Sequence, residues 1–326
     1  VELPMDDHKR PDFSAQRDAA DRAGVRAVDP TGDESALRLC LADIARERNR
    51  PELLVETVFA ALADRTRYRA WGAFGEDGTL LALGTHFQQN AARCYADVDV
   101  LPAWRRLGLG SRVLRRMVDE TAQLGARWLV VDVPSDDAAA GAFLRRNGLT
   151  PRGDVWALLA PAETSFPAAT WPDGYHVTTY DRLQDVRALT DAFNAAFGDM
   201  WGHWENIPGL VTVESVGNML AEADARGIVL ALDAGGRIAG FCHATPFVGE
   251  QASAPHLLDM PGVVPDHRHA GLHTPLVLEA AKFLQSQGPR PLRLESWSDP
   301  AETIALYEAL GFERVLHEVS YGLDVA

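Results

Sequence analysis

The chain repeats itself at one fixed interval, and this repeat constrains the fold more than any other feature of the sequence. Pro102, Gly108 and Gly148 recur without a gap as Pro265, Gly271 and Gly311, each 163 positions later. Around and between them Val100 matches Val263, Arg105 matches Arg268, Leu109 matches Leu272, Gly125 matches Gly288, and Ser135-Asp136 matches Ser298-Asp299. Turn-forming glycines and prolines held at constant spacing describe one folded unit written twice. At 326 residues the chain has the length for two such units.

Each half carries the same succession of local signals. Residues 25–28 predict a short strand, and 33–48 a helix with Leu37, Leu41 and Ile44 at helical spacing. Residues 68–74 and 79–87 predict a hairpin about Glu76-Asp77-Gly78, and 227–232 with 237–247 a second about Ala234-Gly235-Gly236. A strand ending near Val100, a helix over 108–124, a strand at 127–133, a helix at 136–146 and a final strand near 153–159 complete the first half. Their counterparts fall at 257–264, 271–287, 291–297, 301–310 and 313–323. The succession predicts an α/β (α+β) fold with a mixed sheet, in two tandem domains. Residues 1–24 read as an N-terminal tail, mobile or formed into a single peripheral helix over 1–23, 25–160 as the first domain, and 175–326 as the second. The stretch 161–174, with Pro161, Pro167, Pro172 and Gly174, is the linker candidate.

Charge narrows the classes of partner. The chain has 31 basic and 46 acidic side chains, a net charge of −15. A general nucleic-acid binder, or a protein held on anionic lipid, needs the opposite potential. The acidic surface favours cationic partners, although solubility alone accounts for many surfaces of this kind. No apolar run approaches the roughly 18 residues that a membrane span requires. Cys40, Cys94 and Cys242 are far apart and form no C-x-x-C, so they predict buried thiols in a reducing, cytoplasmic setting. The expected assembly is a monomer or a homodimer with neither nucleic acid nor membrane as partner.

The segment Val100-Leu101-Pro102-Ala103-Trp104-Arg105-Arg106-Leu107-Gly108-Leu109-Gly110-Ser111 lies between a predicted strand and a predicted helix. Glycines at a helix start let backbone approach an anion, while unpaired N–H groups and the helix dipole attract it. The run is no Walker loop and lacks the third glycine of a dinucleotide fingerprint. Arg105, Arg106, Arg112, Arg115 and Arg116 fall within twelve residues that hold no acid. The block reads as a seat for a polyanion, or, more plainly, as a solvated basic face beside a glycine turn.

With Arg105-x-x-Gly108-x-Gly110 in the first half and Leu306-Tyr307-Glu308-Ala309-Leu310-Gly311-Phe312 in the second, the sequence resembles the GCN5-related N-acetyltransferase superfamily. The resemblance covers about residues 25–160 and 175–325, and the tandem order is similar to double acetyltransferases of the mycothiol-synthase type. It implies acetyl-CoA as co-substrate; no metal is expected, because no Cys or acidic ligand stands at metal spacing. The pyrophosphate would lie on the turn at Arg105, Arg106, Leu107, Gly108, Leu109, Gly110 and Ser111, and the pantetheine arm along the strand edge at Val100. It implies direct attack by a neutral amine on the thioester carbonyl.

The two halves depart from the pattern in complementary ways. Four residues before Gly148, where the family often places a tyrosine that protonates the thiolate, the first half has Leu144; the second has Tyr307. The second half places His273 where the last Gly or Ala of the loop belongs, and this crowds the pyrophosphate. Acetyl-CoA is therefore expected in the first half. Asp97 and Asp99 alternate with Val98 and Val100, so they share one strand face. Asp132 matches Glu295 at the same interval, and these carboxylates are the candidates to bind an amine or relay its proton. The string His267, His269, His273 belongs to the loop of the repeat and lacks partner ligands at metal spacing. Trp201, His203 and Trp204 are either an aromatic wall for substrate or ordinary packing. The expected activity is acetyl-CoA-dependent N-acetylation of a small primary amine. The alternatives are a non-catalytic acyl-CoA-binding regulator and an acetyltransferase acting on proteins or peptides.

Overall fold

The computed structural model describes residues 14–47, 53–64, 67–200, 211–249 and 254–325. They divide into two compact units. Unit 1 takes residues up to Asp132, then Ala142–Thr150 and the chain from Tyr321 onward; unit 2 takes Val133–Gly141 and Pro151–Ser320.

Unit 1 begins with helix α1 (Ser14–Arg22) and strand β1 (Gly24–Ala27), then α2 (Glu34–Glu47) and α3 (Leu53–Ala63). Strands β2 (Tyr68–Phe74), β3 (Leu80–Gln88) and β4 (Arg93–Val100), helix α4 (Leu109–Gln123) and strand β5 (Trp128–Pro134) follow. Strands β1 to β5 lie side by side in sequence order, antiparallel except for the parallel pair β4 and β5. The hairpin turns on Gly78 at φ 82°, and the Asp77 side chain accepts from the Thr79 N–H. One face of the sheet buries Leu80 and Leu83 against Leu37, Leu41 and Ile44 of α2. The other takes α4, and Gly84 is bare because Val113 and Met117 fill the space where its Cβ would stand. Helix α3 has no counterpart among the elements that the sequence predicts. Its run Leu53–Ala63 is apolar nearly throughout, so it shows little of the periodicity by which an amphipathic helix is recognised.

Unit 1 also takes the second part of helix α5 (Ala138–Arg146), and strand β6 (Thr150–Ala160) follows it in the chain. In unit 2 the order is β7 (His176–Thr179), α6 (Tyr180–Leu183), α7 (Val186–Phe197), α8 (Val213–Glu222), β8 (Ile228–Leu232), β9 (Ile238–Thr245) and β10 (His256–Val263). Helix α9 (His273–Ser286), strand β11 (Leu292–Trp297), helix α10 (Ala301–Ala309) and strand β12 (Glu313–Asp324) complete the chain. Asp185 caps α7, and Thr212 with Ser215 forms a capping box on α8. Helices α7 and α8 cover one sheet face through Phe193, Phe197 and Val216. Helices α9 and α10 cover the other through Leu276, Val277, Ile304 and Tyr307.

Strand β6 comes from the first half of the sequence but pairs antiparallel with β11, from Leu292↔Ala160 to Trp297↔Val155. Strand β12 lies beside it. The stretch 161–174 forms neither helix nor strand, and its Phe166 and Trp171 pack against the α9 side of the unit 2 core. All three cysteines are buried and free.

Candidate active site

The turn after β4 is organised by one side chain. Beyond Val100 the chain makes a 3-10 turn at Pro102–Trp104, Arg106 takes φ 65°, Gly108 takes φ 84°, and α4 begins. Arg105 folds back over this turn. Its Nε donates to the Val100 carbonyl at 3.0 Å and its two Nη groups meet the Glu47 carboxylate at the end of α2. The turn therefore leads into a helix whose first N–H groups, at Leu109, Gly110 and Ser111, are capped by no side chain among the described residues.

The two glycines of the turn do different work. A Cβ on Gly108 would meet nothing within 4 Å, so its backbone is open on that side and its positive φ is what demands glycine. A Cβ on Gly110 would lie 3.1 Å from Val100 and 3.4 Å from Phe143, so Gly110 is small in order to pack helix against strand.

The arginine block is less available than its charge suggests. Arg112 donates to the carbonyls of Ala20 and Ala23 and holds the end of α1. Arg116 lies over the Trp71 ring at 4.4 Å, and Arg115 reaches back to the Ser111 carbonyl at 3.3 Å. Arg106, exposed beside Gly108, is the member of the block with no ion-pair or hydrogen-bond partner among the described residues.

Strands β4 and β5 part company at this end. Among the described residues their parallel pairing runs from Arg93↔Trp128 to Tyr95↔Val130, while β4 continues to Val100. The β4 edge over residues 96–100 is thus open toward β5, and the turn lies at its far end. Asp97 and Asp99 share one face of β4, as their spacing predicts. Asp99 stands opposite Leu83, which belongs to the α2 core, and its charge is felt by Cys40 of α2. Asp97 is exposed; Asp99 and Asp132 are half-buried.

Unit 2 repeats the scheme with different chemistry. Arg268 is the counterpart of Arg105: its Nε donates to the Val263 carbonyl at 3.4 Å, and it grips Asp199 with two bonds of 2.7 Å. That grip raises the Arg268 pKa and lowers that of Asp199. Gly271 takes φ 73°, and His273 opens α9 with its Nδ1 buried and unpaired among the described residues. Burial, helped by Arg268, pushes the imidazole down to about 4, so it stays neutral. Parallel pairing of β10 and β11 stops at Leu258↔Leu294. Tyr307 is 1% exposed and its hydroxyl has no partner among the described residues; burial chiefly, with Asp299 and Cys242, raises its pKa. Glu295 is bonded to Arg293 at 2.9 Å. Of the four carboxylate and tyrosine candidates, Asp97 and Asp99 come together in unit 1, and Tyr307 and Glu295 belong to unit 2. His267 bonds to the Tyr175 hydroxyl at 2.9 Å. Trp201, His203 and Trp204 lie outside the described residues.

Residues 39–149 match the acetyltransferase (GNAT) family. A mycothiol acetyltransferase from Thermobispora bispora is 30% identical over 305 residues, covering 91% of this chain and 98% of that protein. The chain belongs to the GNAT acetyltransferase family. Its chemistry is therefore acetyl transfer, and it is an N-acetyltransferase. A second mycothiol acetyltransferase, from Segniliparus rotundus, is 32% identical over 69% of this chain and 83% of that one. Among solved structures, a GCN5-related N-acetyltransferase from Sphaerobacter thermophilus superposes with TM-score 0.69 at 20% identity, covering 94% of this chain and 96% of that one. A tandem GNAT protein from the clavulanic acid pathway gives 0.59 at 17%, covering 94% and 99%. These two likenesses establish the tandem GNAT fold.

GNAT proteins use acetyl-CoA, and the residues of unit 1 fit a pyrophosphate. The uncapped first turn of α4 supplies donors, Gly108 leaves its backbone open, and Arg106 adds a cation with no competing partner among the described residues. Sequence reasoning missed Tyr95, the last β4 residue paired with β5, and the Glu47 partner of Arg105. The first carried a usable signal, a tyrosine two residues before Asp97 on the same strand face. The second had none, because 58 residues separate the partners.

Proposed function

We propose that the protein transfers the acetyl group of acetyl-CoA to a small primary amine by direct attack, with the coenzyme held in unit 1. One observation carries the reading. An uncapped helix start behind a left-handed Gly108 stands at the far end of an open strand edge. In this reading the amides of residues 105–111 and Arg106 hold the pyrophosphate, and the edge from Val100 back to Ala96 pairs with the amide groups of the arm. Asp97 and Asp99, on the face shared with α2, attract the cationic acceptor and take up the proton it must lose before it can attack. In unit 2, Tyr307 and Glu295 are the equivalent candidates, and the half-buried, neutral His273 at the start of α9 disfavours an anion there. Residues 25–160 and 175–326 then act as the two functional halves, joined through 161–174.

Calorimetry with acetyl-CoA on two charge-blocked variants tests the placement. Ser111→Glu puts a carboxylate in the first turn of α4, where it favours the helix while occupying the anion site, and it should abolish binding without lowering thermal stability. Thr274→Glu, the matching change in unit 2, should leave binding intact. The reverse result moves the coenzyme to unit 2. Thiol release over amino acids, polyamines, aminoglycosides, peptides and the desacetyl form of mycothiol, prompted by the relatives' name, then tests the acceptor class. Release with peptides alone would replace the small-amine reading, and binding without release would support an acyl-CoA-binding protein.

A further inference from the structure

Unit 1 lacks the tyrosine that a GNAT helix often presents to the sulfur. Leu144 occupies that position and is 1% exposed, part of the packing. A different tyrosine stands where the strands separate. Tyr95 is the last β4 residue paired with β5, opposite Val130, and the open edge begins at the next residue. Strand alternation puts Tyr95 on the face of Asp97 and Asp99, and its antiparallel neighbour Phe87, stacked on Tyr68, belongs to that face as well. The α4 face is made instead by Cys94, Ala96 and Val98, opposite Gln88, His86 and Gly84.

Two charged side chains bear on the Tyr95 hydroxyl. Arg93 precedes it by two residues on the same face and is 2% exposed; Asp132 follows Val130 by two on β5. Burial raises the phenol pKa and Asp132 raises it further, while the charge and hydrogen bond of Arg93 oppose them. The hydroxyl is buried, so the phenol keeps its proton at neutral pH and has a directed environment in which to give it up.

We propose that Tyr95 is the acid of unit 1 that protonates the departing thiolate, with Arg93 and Asp132 as positioning residues. This rests on the reading that acetyl-CoA lies along the β4 edge, which brings the thioester to the point where the strands part. As the amine nitrogen forms its bond to the acetyl carbon, the C–S bond breaks with its electron pair going to sulfur. The Tyr95 O–H proton passes to that sulfur, leaving free thiol and a phenolate. The phenolate recovers a proton from the new amide nitrogen, which carries one too many, through Asp97 or water. Counted from the neutral amine no proton is gained or lost; the one the ammonium group sheds beforehand passes from Asp97 or Asp99 to solvent before this step.

Tyr95→Phe keeps the ring and removes only the hydroxyl. Acetyl-CoA affinity by calorimetry is expected to stay within about twofold, KM for the amine to stay similar, and kcat to fall about 100-fold, the usual scale for a lost general acid. Asp132→Asn is expected to reduce kcat by a smaller factor at unchanged coenzyme affinity. Full kcat in Tyr95→Phe overturns the proposal and leaves the acetyltransferase reading standing. If Tyr95→Phe does not fold, Asp132→Asn decides, and unchanged kcat there overturns it. A wild-type protein that binds no acetyl-CoA, or releases no thiol with any amine, defeats the underlying reading instead.

Discussion

His317 Nε2 lies 2.8 Å from Asp154 Oδ1, and the two residues are 163 positions apart, the interval of the duplication itself. Equivalent places on β6 and β12, the final strands of the two halves, thus face one another inside unit 2, one bearing a carboxylate and the other an imidazole. The His317 ring also stacks on Trp156, with centroids 3.5 Å apart and planes 8° from parallel. The Asp154 side chain is 54% and the His317 side chain 30% exposed, so the pair is screened and worth about 0.5–1 kcal/mol. A double-mutant cycle with Asp154→Asn and His317→Gln, followed by urea unfolding, should return a coupling of that size. Zero coupling would mean that the stacking on Trp156, and not the bond, holds His317.

That contact marks the limit of what a sequence discloses. The hairpins, the strand ending at Val100 and the helix after Gly108 are legible because a turn glycine or a local period sets each of them. The exchange that pairs β6 with β11 is not, since the apolar run 155–160 would satisfy either partner strand. The acid face of β4 follows from alternation alone. The engagement of Arg112 and Arg116 does not, because each depends on a group far along the chain: the end of α1 and the Trp71 ring. A block of five arginines in sequence therefore reduces, at the turn, to one cation without a partner among the described residues.

Arg105 and Arg106 are adjacent, yet they should fail differently. Arg105→Ala removes the bond to the Val100 carbonyl and the Glu47 pair, so the turn loses its brace. Its melting temperature should fall by a few degrees, consistent with about 1 kcal/mol, and acetyl-CoA binding should weaken with it. Arg106→Ala breaks no contact within the described residues. Its melting temperature should stay within about 1 °C of wild type while acetyl-CoA affinity drops by roughly tenfold, as for loss of a charge-assisted phosphate contact. Equal losses of stability in the two variants, measured by scanning calorimetry, would refute the division of labour.

Tyr307 holds a hydroxyl with no partner among the described residues in the core of unit 2. An unsatisfied buried hydroxyl costs about 1–3 kcal/mol, and removing it without changing the ring's shape recovers part of that. Tyr307→Phe should therefore raise the unfolding free energy by about 1 kcal/mol in urea titrations. A decrease of similar size would reveal that the hydroxyl is hydrogen-bonded in solution.

Asp299 gives unit 2 a pH dependence with a definite sign. Burial pushes its carboxyl up to about 6 from 3.8, outweighing the Ser296 hydrogen bond and the Arg268 charge that lower it. The folded protein thus keeps this proton over a range where the unfolded chain has lost it. The contribution of Asp299 is full below about pH 4 and lost as the pH rises through about 6. His86 and His273, pushed down to about 4 chiefly by burial, act in the opposite sense: theirs is full above 6.5 and lost as the pH falls toward 4. Wild-type stability mixes the two, and Asp299→Asn separates them. The variant should be close to wild type near pH 4 and progressively more stable than it by pH 7, as read by urea unfolding at several pH values. A difference that stays constant across that range would show that the Asp299 carboxyl titrates alike in the folded and unfolded chain.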